Sequence, residues 1–185
     1  MTYKIYHDPW IHLIENNYFP DVFFKKIQTV SKDFDQGYYT LETILDLKEL
    51  NDYISFKTFE YRKLLISIVS NPYNTLPCSV QDSVLEKRIA IFNPGGYVRN
   101  LHTDLRQKQI TTIVFLSEQG LGTELYPSNK YENLTQIEWK ENRALTFIPT
   151  KDTYHDFDHP TDLFTEDRAT LLINVYNKKE WNRRR

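Results

Sequence analysis

The stretch Ile89–Tyr126, IAIFNPGGYVRNLHTDLRQKQITTIVFLSEQGLGTELY, decides how this chain is read. At its centre stands His102-Thr103-Asp104. Residues i and i+2 of a strand project from one face, so at a strand end this imidazole and this carboxylate converge on one point. They make two thirds of a facial metal triad. A second histidine from elsewhere would complete the two-histidine, one-carboxylate set that suits non-haem Fe(II) and leaves coordination positions open. Alone, a His-x-Asp tripeptide is a common surface turn, and the neighbouring residues carry the argument. Four of the five glycines (Gly95, Gly96, Gly120 and Gly122) fall in this stretch, which concentrates backbone freedom around the site. Ile110–Leu116 (ITTIVFL) is a β-branched, apolar run of the kind that forms a buried strand. A glycine-containing turn then leads to a second short strand, Thr123–Tyr126.

The composition bounds what can surround that stretch. A chain of 185 residues without a linker-like segment is expected to form one domain with a proper core. Aromatic residues are abundant, 13 Tyr, 11 Phe and 3 Trp, which favours a β-rich fold with aromatic-lined surfaces. A net charge of −2 predicts no whole-surface attraction to nucleic acid. The lone Cys78 excludes an intrachain disulfide and fits a reducing compartment. The opening MTYKIYHDPW has no apolar core of signal-peptide length, and no run reaches membrane-spanning length. A soluble, cytoplasmic protein is expected.

Trp10–Ile14 reads as an opening strand, and Asp21 as the N-cap of a helix carrying Val22, Phe23, Ile27 and Val30. His7 and His12, in this region, read as structural or solvated. Gly37-Tyr38-Tyr39 interrupts the pattern. Asp46–Ile54 then reads as a short helix, and Phe56–Val69 as a longer one ended by Asn71-Pro72. These helices are expected to support one face of a sheet. From Val84 the period changes. Val84–Phe92, Ile110–Leu116, Thr123–Tyr126, Ile137–Lys140, Ala144–Ile148 and Ala169–Val175 are short strand candidates separated by turn chemistry. The expected fold is therefore mainly β (α+β): a double-stranded β-helix, or jelly roll, over 84–176, with supporting helices over 1–83. The basic tail over 177–185 reads as a frayed, solvated end.

The pattern Gly95-x-Tyr97…His102-x-Asp104, apolar strand, Gly122-Thr-Glu-Leu-Tyr126 resembles the core of the Fe(II)/2-oxoglutarate-dependent oxygenases, in particular the prolyl-hydroxylase-like branch. The resemblance covers roughly 84–176 and, loosely, 8–30. A third metal ligand must come from a later strand, and His155 and His159 are the two candidates. RALTFIPTKDTYHDF (143–157) is similar to the family's strand, turn and distal-histidine run, which favours His155; His159, before Pro160, looks like a loop residue. The metal set implied is His102, Asp104 and His155.

Arg168 and Thr170 would share a face at the start of a strand. A guanidinium binds a carboxylate through paired, charge-assisted hydrogen bonds, and a hydroxyl two residues on can add a third. The bland alternative pairs Arg168 with Glu166 or Asp167. The pair is similar to the family's Arg-x-Ser/Thr element for the distal carboxylate of 2-oxoglutarate. Where prolyl-hydroxylase-like members carry two tyrosines this chain has Phe92 and Phe115, so Tyr97 or Thr112 would share the cofactor-binding role. Arg99, Arg106, Tyr126 and Trp139 are candidates for the substrate entrance.

The resemblance thus implies a dioxygenase using Fe(II), 2-oxoglutarate and dioxygen to hydroxylate a C–H bond, with a prolyl or other protein side chain as the expected substrate. A small metabolite is the alternative substrate. A cupin-like metal-binding protein without oxygenase activity, and a zinc hydrolase with Glu124 as general base, are the competing classes. No nucleic-acid or membrane partner is expected.

Overall fold

The β-branched run that opens the sequence reading is the middle of the larger of two sheets. The computed structural model describes residues 3–45, 47–69, 79–96 and 100–182. In chain order the elements are β1 (Tyr3–Tyr6), β2 (His12–Glu15), α1 (Asp21–Ser31), β3 (Gly37–Thr40), α2 (Leu41–Ile44), α3 (Lys48–Ile66), β4 (Ser83–Phe92), β5 (Lys108–Phe115), β6 (Thr123–Tyr126), β7 (Thr135–Ile137), β8 (Ala144–Phe147), β9 (Tyr154–Asp156), β10 (Arg168–Asn177) and α4 (Lys178–Asn182). The larger sheet has the order β1-β2-β8-β5-β10-β4-β3, the smaller β7-β6-β9, and the pairings are antiparallel. Two facing antiparallel sheets make the mainly β jelly roll that the strand pattern predicts.

β5 carries apolar residues on both faces because the larger sheet is covered on both faces. Ile110 and Val114 point toward the helices, where Ile27, Leu50, Ile54 and Leu65 pack against them in one cluster. Ile113 and Phe115, one residue out of phase, point between the sheets with Leu125, Ile137, Leu145 and Phe147. Among the described residues, no helix is long and apolar enough to cross a membrane.

Several local expectations shift. The two helices read at Asp46–Ile54 and Phe56–Val69 are one helix, α3, because Ser55 is no breaker and the stripe Leu50, Ile54, Thr58, Tyr61, Leu65 runs unbroken along one face. Phe56 and Ile68 lie off that stripe, on the exposed side. Asp46, read as an N-cap, lies outside the described residues. Asp21 is the first helical residue of α1 and Pro20 occupies the cap, consistent with the preset φ of proline. The opening strand starts at His12; Trp10 instead tucks between the sheets, its indole N–H donating to Tyr126 O at 3.2 Å and its ring against Phe147. Residues 138–140 leave the sheet that β7 was expected to continue. The tail is helical over Lys178–Asn182, held by Trp181 against Tyr176. Polar sequence hides β1, and β3 falls where Gly37-Tyr38-Tyr39 read as an interruption.

One ionic contact fastens the helical layer to the sheet. Lys57 on α3 and Glu15 at the end of β2 are both nearly fully buried, with Nζ 2.7 Å from Oε2. Lys57 also donates to Tyr18 O at 2.8 Å and lies over the Tyr18 ring, and the Tyr61 hydroxyl donates to the same Glu15 oxygen. Removing one partner of such a pair strands the other charge, at a cost of about 3–5 kcal/mol, whereas an apolar replacement of both costs much less. Lys57→Ala is therefore expected to lower the urea-unfolding free energy by about that amount. A Lys57→Met, Glu15→Leu double variant should recover most of it. A double variant as unstable as the single one would show that packing, not stranded charge, sets the loss.

Candidate metal centre

β9 pairs with β6 on one side and, through a single bridge on the other, with His102. The His155 N–H donates to His102 O at 2.9 Å and the His102 N–H to His155 O at 3.2 Å. Directly opposed residues of an antiparallel pair share a face, so the bridge sends both imidazoles the same way. Their ring centroids are 4.5 Å apart. Each ring is then oriented by its own backbone: His102 Nδ1 is 2.7 Å from Asn100 O, and His155 Nδ1 is 3.0 Å from Thr153 O. A carbonyl only accepts, so each Nδ1 carries the proton and each Nε2 keeps its lone pair for a metal.

Asp104, two residues beyond His102, brings its carboxylate to the same point. One ligand atom from each of His102, Asp104 and His155 lies within 4.8 Å of the others. Thr111, on β5, donates to Asp104 Oδ2 at 2.6 Å, and the Lys108 ammonium pairs with Oδ1. Burial opposes ionisation of Asp104, but Lys108, His155 and these hydrogen bonds outweigh it and hold the carboxyl below its usual range. Burial also lowers His155, with His102 and Lys108 adding to the effect against the pull of Asp104. The carboxylate is thus ionised and His155 neutral near pH 7, the forms that ligate. Two nitrogens and one oxygen suit a ferrous ion and leave positions for other ligands.

The three residues line a cavity of about 340 Å³ whose wall also includes Arg168 and Thr170 at the start of β10. Arg168 is 3% exposed; its guanidinium lies 3.9 Å from the centroid of Phe157 and 5.2 Å from that of Trp139. The Thr170 hydroxyl, on a residue 1% exposed, has no hydrogen-bond partner among the described residues. A buried orphan hydroxyl beside a buried guanidinium is an arrangement that a carboxylate ligand satisfies. The residues present therefore fit both a metal ion and a dicarboxylate.

Other expected site residues lie elsewhere. Thr112 points to the helical face of β5, opposite in phase to the cavity-lining Thr111 and Ile113, and its hydroxyl pairs with Thr146 at 2.9 Å. Tyr126 is fully buried away from the cavity and donates to Glu124 at 2.7 Å, which also takes Glu124 out of reach as a base for metal-bound water. Trp139 stands behind Arg168, stacked on Phe115 at 4.3 Å, and not at an entrance. Arg106 lies on the exposed turn before β5, outside the cavity lining. Tyr97 and Arg99 lie outside the described residues. His159 is buried in a loop, its Nε2–H donating to Glu166 O at 2.8 Å, apart from the triad.

Sequence reasoning missed the supports of Asp104, Lys108 and Thr111, and the cavity residues Glu86, Arg88, Asn174, Tyr176 and Tyr38. A signal for some of them was present. Counting by twos from Arg168 and Thr170 along β10 reaches Leu172, Asn174 and Tyr176, all on the cavity face. Tyr38 carried no such signal, because β3 was not read as a strand.

No protein-family model and no curated protein sequence matches the chain. Solved structures do. A Trichoplax adhaerens prolyl hydroxylase in complex with a hypoxia-inducible-factor peptide fragment superposes with a TM-score of 0.64 at 14% identity, over 91% of this chain and 84% of that one. A Pseudomonas putida prolyl-4-hydroxylase gives 0.59 at 10% identity, over 90% and 92%. The non-haem α-ketoglutarate-dependent carbocyclase SnoK from nogalamycin biosynthesis gives 0.60 at 9% identity, over 90% and 79%. The chain therefore has the jelly-roll fold of the prolyl hydroxylases and the 2-oxoglutarate-dependent non-haem iron enzymes.

Proposed function

We propose that this protein is a non-haem Fe(II)/2-oxoglutarate-dependent dioxygenase that hydroxylates a C–H bond, with a prolyl or other protein side chain as substrate, in a reducing cytoplasm. The carrying observation is that one cavity is lined both by His102, Asp104 and His155 and by the buried Arg168–Thr170 pair. A metal-binding protein without oxygenase chemistry has no use for the second feature. A zinc hydrolase would need a base at the metal, and Glu124 is engaged with Tyr126 outside the cavity.

His102 and His155 would hold the ferrous ion through Nε2, and Asp104 through a carboxylate oxygen. Arg168 and Thr170 would bind the distal carboxylate of 2-oxoglutarate. With dioxygen, that assembly supplies a two-electron oxidation: one oxygen atom enters the substrate C–H bond and the other the succinate formed with carbon dioxide. The chain's own part is orientation and exclusion of water. Thr111 and Lys108 fix the Asp104 carboxylate, and Phe157 and Trp139 flank the Arg168 guanidinium, so the clamp is set before a ligand arrives.

The peptide reading is supported by the cavity mouth. Leu105 lines the cavity yet is 46% exposed, an apolar side chain at the rim suited to an extended chain. The small-molecule reading has its own support in Arg88 and Glu86, an ion pair at 2.6 Å on the same wall that could take a polar metabolite. Mass spectrometry decides between them: a gain of one oxygen on a peptide incubated with protein, Fe(II) and 2-oxoglutarate is expected. Turnover of free metabolites with none of any peptide would exclude the protein substrate.

Asp104→Ala is expected to abolish both stoichiometric iron binding and succinate formation while leaving the circular dichroism spectrum intact. Full activity in that variant would remove Asp104 from the site, and His159→Ala should do far less than His155→Ala. Arg168→Ala is expected to raise the apparent 2-oxoglutarate constant by on the order of a hundredfold, and Thr170→Val by a smaller factor, because a charged hydrogen-bond partner costs a few kcal/mol to remove. Unchanged 2-oxoglutarate affinity in Arg168→Ala would move the clamp elsewhere.

A further inference from the structure

We infer that Tyr38, on the edge strand β3, donates a hydrogen bond to the distal carboxylate of 2-oxoglutarate, supplying beside Arg168 and Thr170 a phenol that neither Phe92 nor Phe115 offers. The inference rests on the oxygenase reading above. Its basis is the register of the larger sheet. Thr170 pairs with Phe115 on one side and with Ala90 on the other, and Ala90 pairs in turn with Tyr38. Phe115, Thr170, Ala90 and Tyr38 thus form one row across β5, β10, β4 and β3, and directly paired residues share a face. Thr170, Ala90 and Tyr38 all line the cavity.

Neighbouring strands lie about 4.8 Å apart, so the Tyr38 and Thr170 backbones are separated by about 10 Å. Only the methyl group of Ala90 stands between them. A ligand carboxylate held over Ala90 would have the threonine hydroxyl on one side and the phenol on the other. In the adjacent row Arg168 pairs with Phe92, and the Tyr38 ring packs edge-on against that same Phe92, 5.6 Å between centroids at 84°. The tyrosine therefore leans toward the guanidinium. Burial raises the phenol above its ordinary value, and the opposing influence of Arg168, followed by that of Arg88, places both cations within its electrostatic range. The phenol keeps its proton at neutral pH and can donate. Its hydroxyl makes no hydrogen bond to another described residue.

Phe92 and Phe115 stand in these rows without a hydroxyl, and Thr170 has one that no described residue satisfies. Tyr38 is the cavity residue placed to complete the set. Its contribution comes from a strand outside the jelly-roll core, which is why no motif in that core discloses it. The competing role is packing alone, with Tyr38 covering Phe92 at the rim.

The test is Tyr38→Phe, which keeps the ring and its contact with Phe92 and removes only the hydroxyl. Binding of 2-oxoglutarate to the Mn(II)-loaded protein is measured by calorimetry, alongside 2-oxopentanoate, which has the same chain length but no distal carboxylate. About a tenfold or greater loss of affinity for 2-oxoglutarate is expected, with wild type and variant binding 2-oxopentanoate equally. Equal 2-oxoglutarate affinity in the two proteins would overturn the inference and leave the oxygenase reading standing. A loss of the same size for both ligands would assign Tyr38 to packing and overturn it as well. Failure of the wild type to bind 2-oxoglutarate would take down both.

Discussion

Two backbone hydrogen bonds, between His102 and His155, hold together everything that gives this molecule a chemistry. They join segments more than fifty residues apart and extend the smaller sheet by one bridge. That pairing alone makes the two imidazoles face the same way. The carbonyl oxygens of Asn100 and Thr153 then choose the tautomer, so ring direction and lone-pair direction are set by main chain and not by side-chain packing. Asp104 follows from the two-residue period of extended chain. A candidate metal site built this way depends on the fold being closed: any slip between the His102 segment and β9 by one residue would turn one imidazole to the opposite face.

The larger sheet serves the site differently. Its middle strands pack apolar residues against the helices behind and, in part, against the second sheet in front, and over Thr170–Val175 β4, β5 and β10 pair in one continuous register. On that rigid surface, polar groups at every second position become a ruler. Arg168 and Thr170 mark one end, and Asn174 and Thr111 the region of Asp104. The helical layer stays in place through packing and the Lys57–Glu15 contact, a buried charge pair whose value lies in what breaking it would cost.

Much of this was legible in the sequence because it rests on local periodicity. The ITTIVFL run, the His-x-Asp spacing and the Arg-x-Thr pair are period-two features, and strands express them directly. Thr112, which faces the helices, is hard to place from sequence for a related reason: the run has apolar residues on both faces, so its composition does not say which alternate residues face the cavity. Trp139 and Tyr126 read as rim residues because aromatic side chains near a motif carry no sign of which way they point. Lys108 and Thr111 support Asp104 through contacts set by a turn and a strand start, which composition does not encode. The hidden strand β3 had the opposite fault, a glycine and two tyrosines that looked like a break and form an edge.

The stack behind the clamp has an optical consequence. Phe115, Trp139, Arg168 and Phe157 contact one another in turn, with the indole nearly parallel to the Phe115 ring and its centroid 5.2 Å from the Arg168 guanidinium. The three tryptophans sit in three different surroundings: Trp10 between the sheets, Trp139 against Arg168, and Trp181 on the terminal helix. Indole emission is sensitive to nearby charge, and of the three only Trp139 is in contact with the guanidinium. If a carboxylate binds that guanidinium as proposed, the field at Trp139 would change more than at the other two indoles, giving the site a spectroscopic gauge of its own.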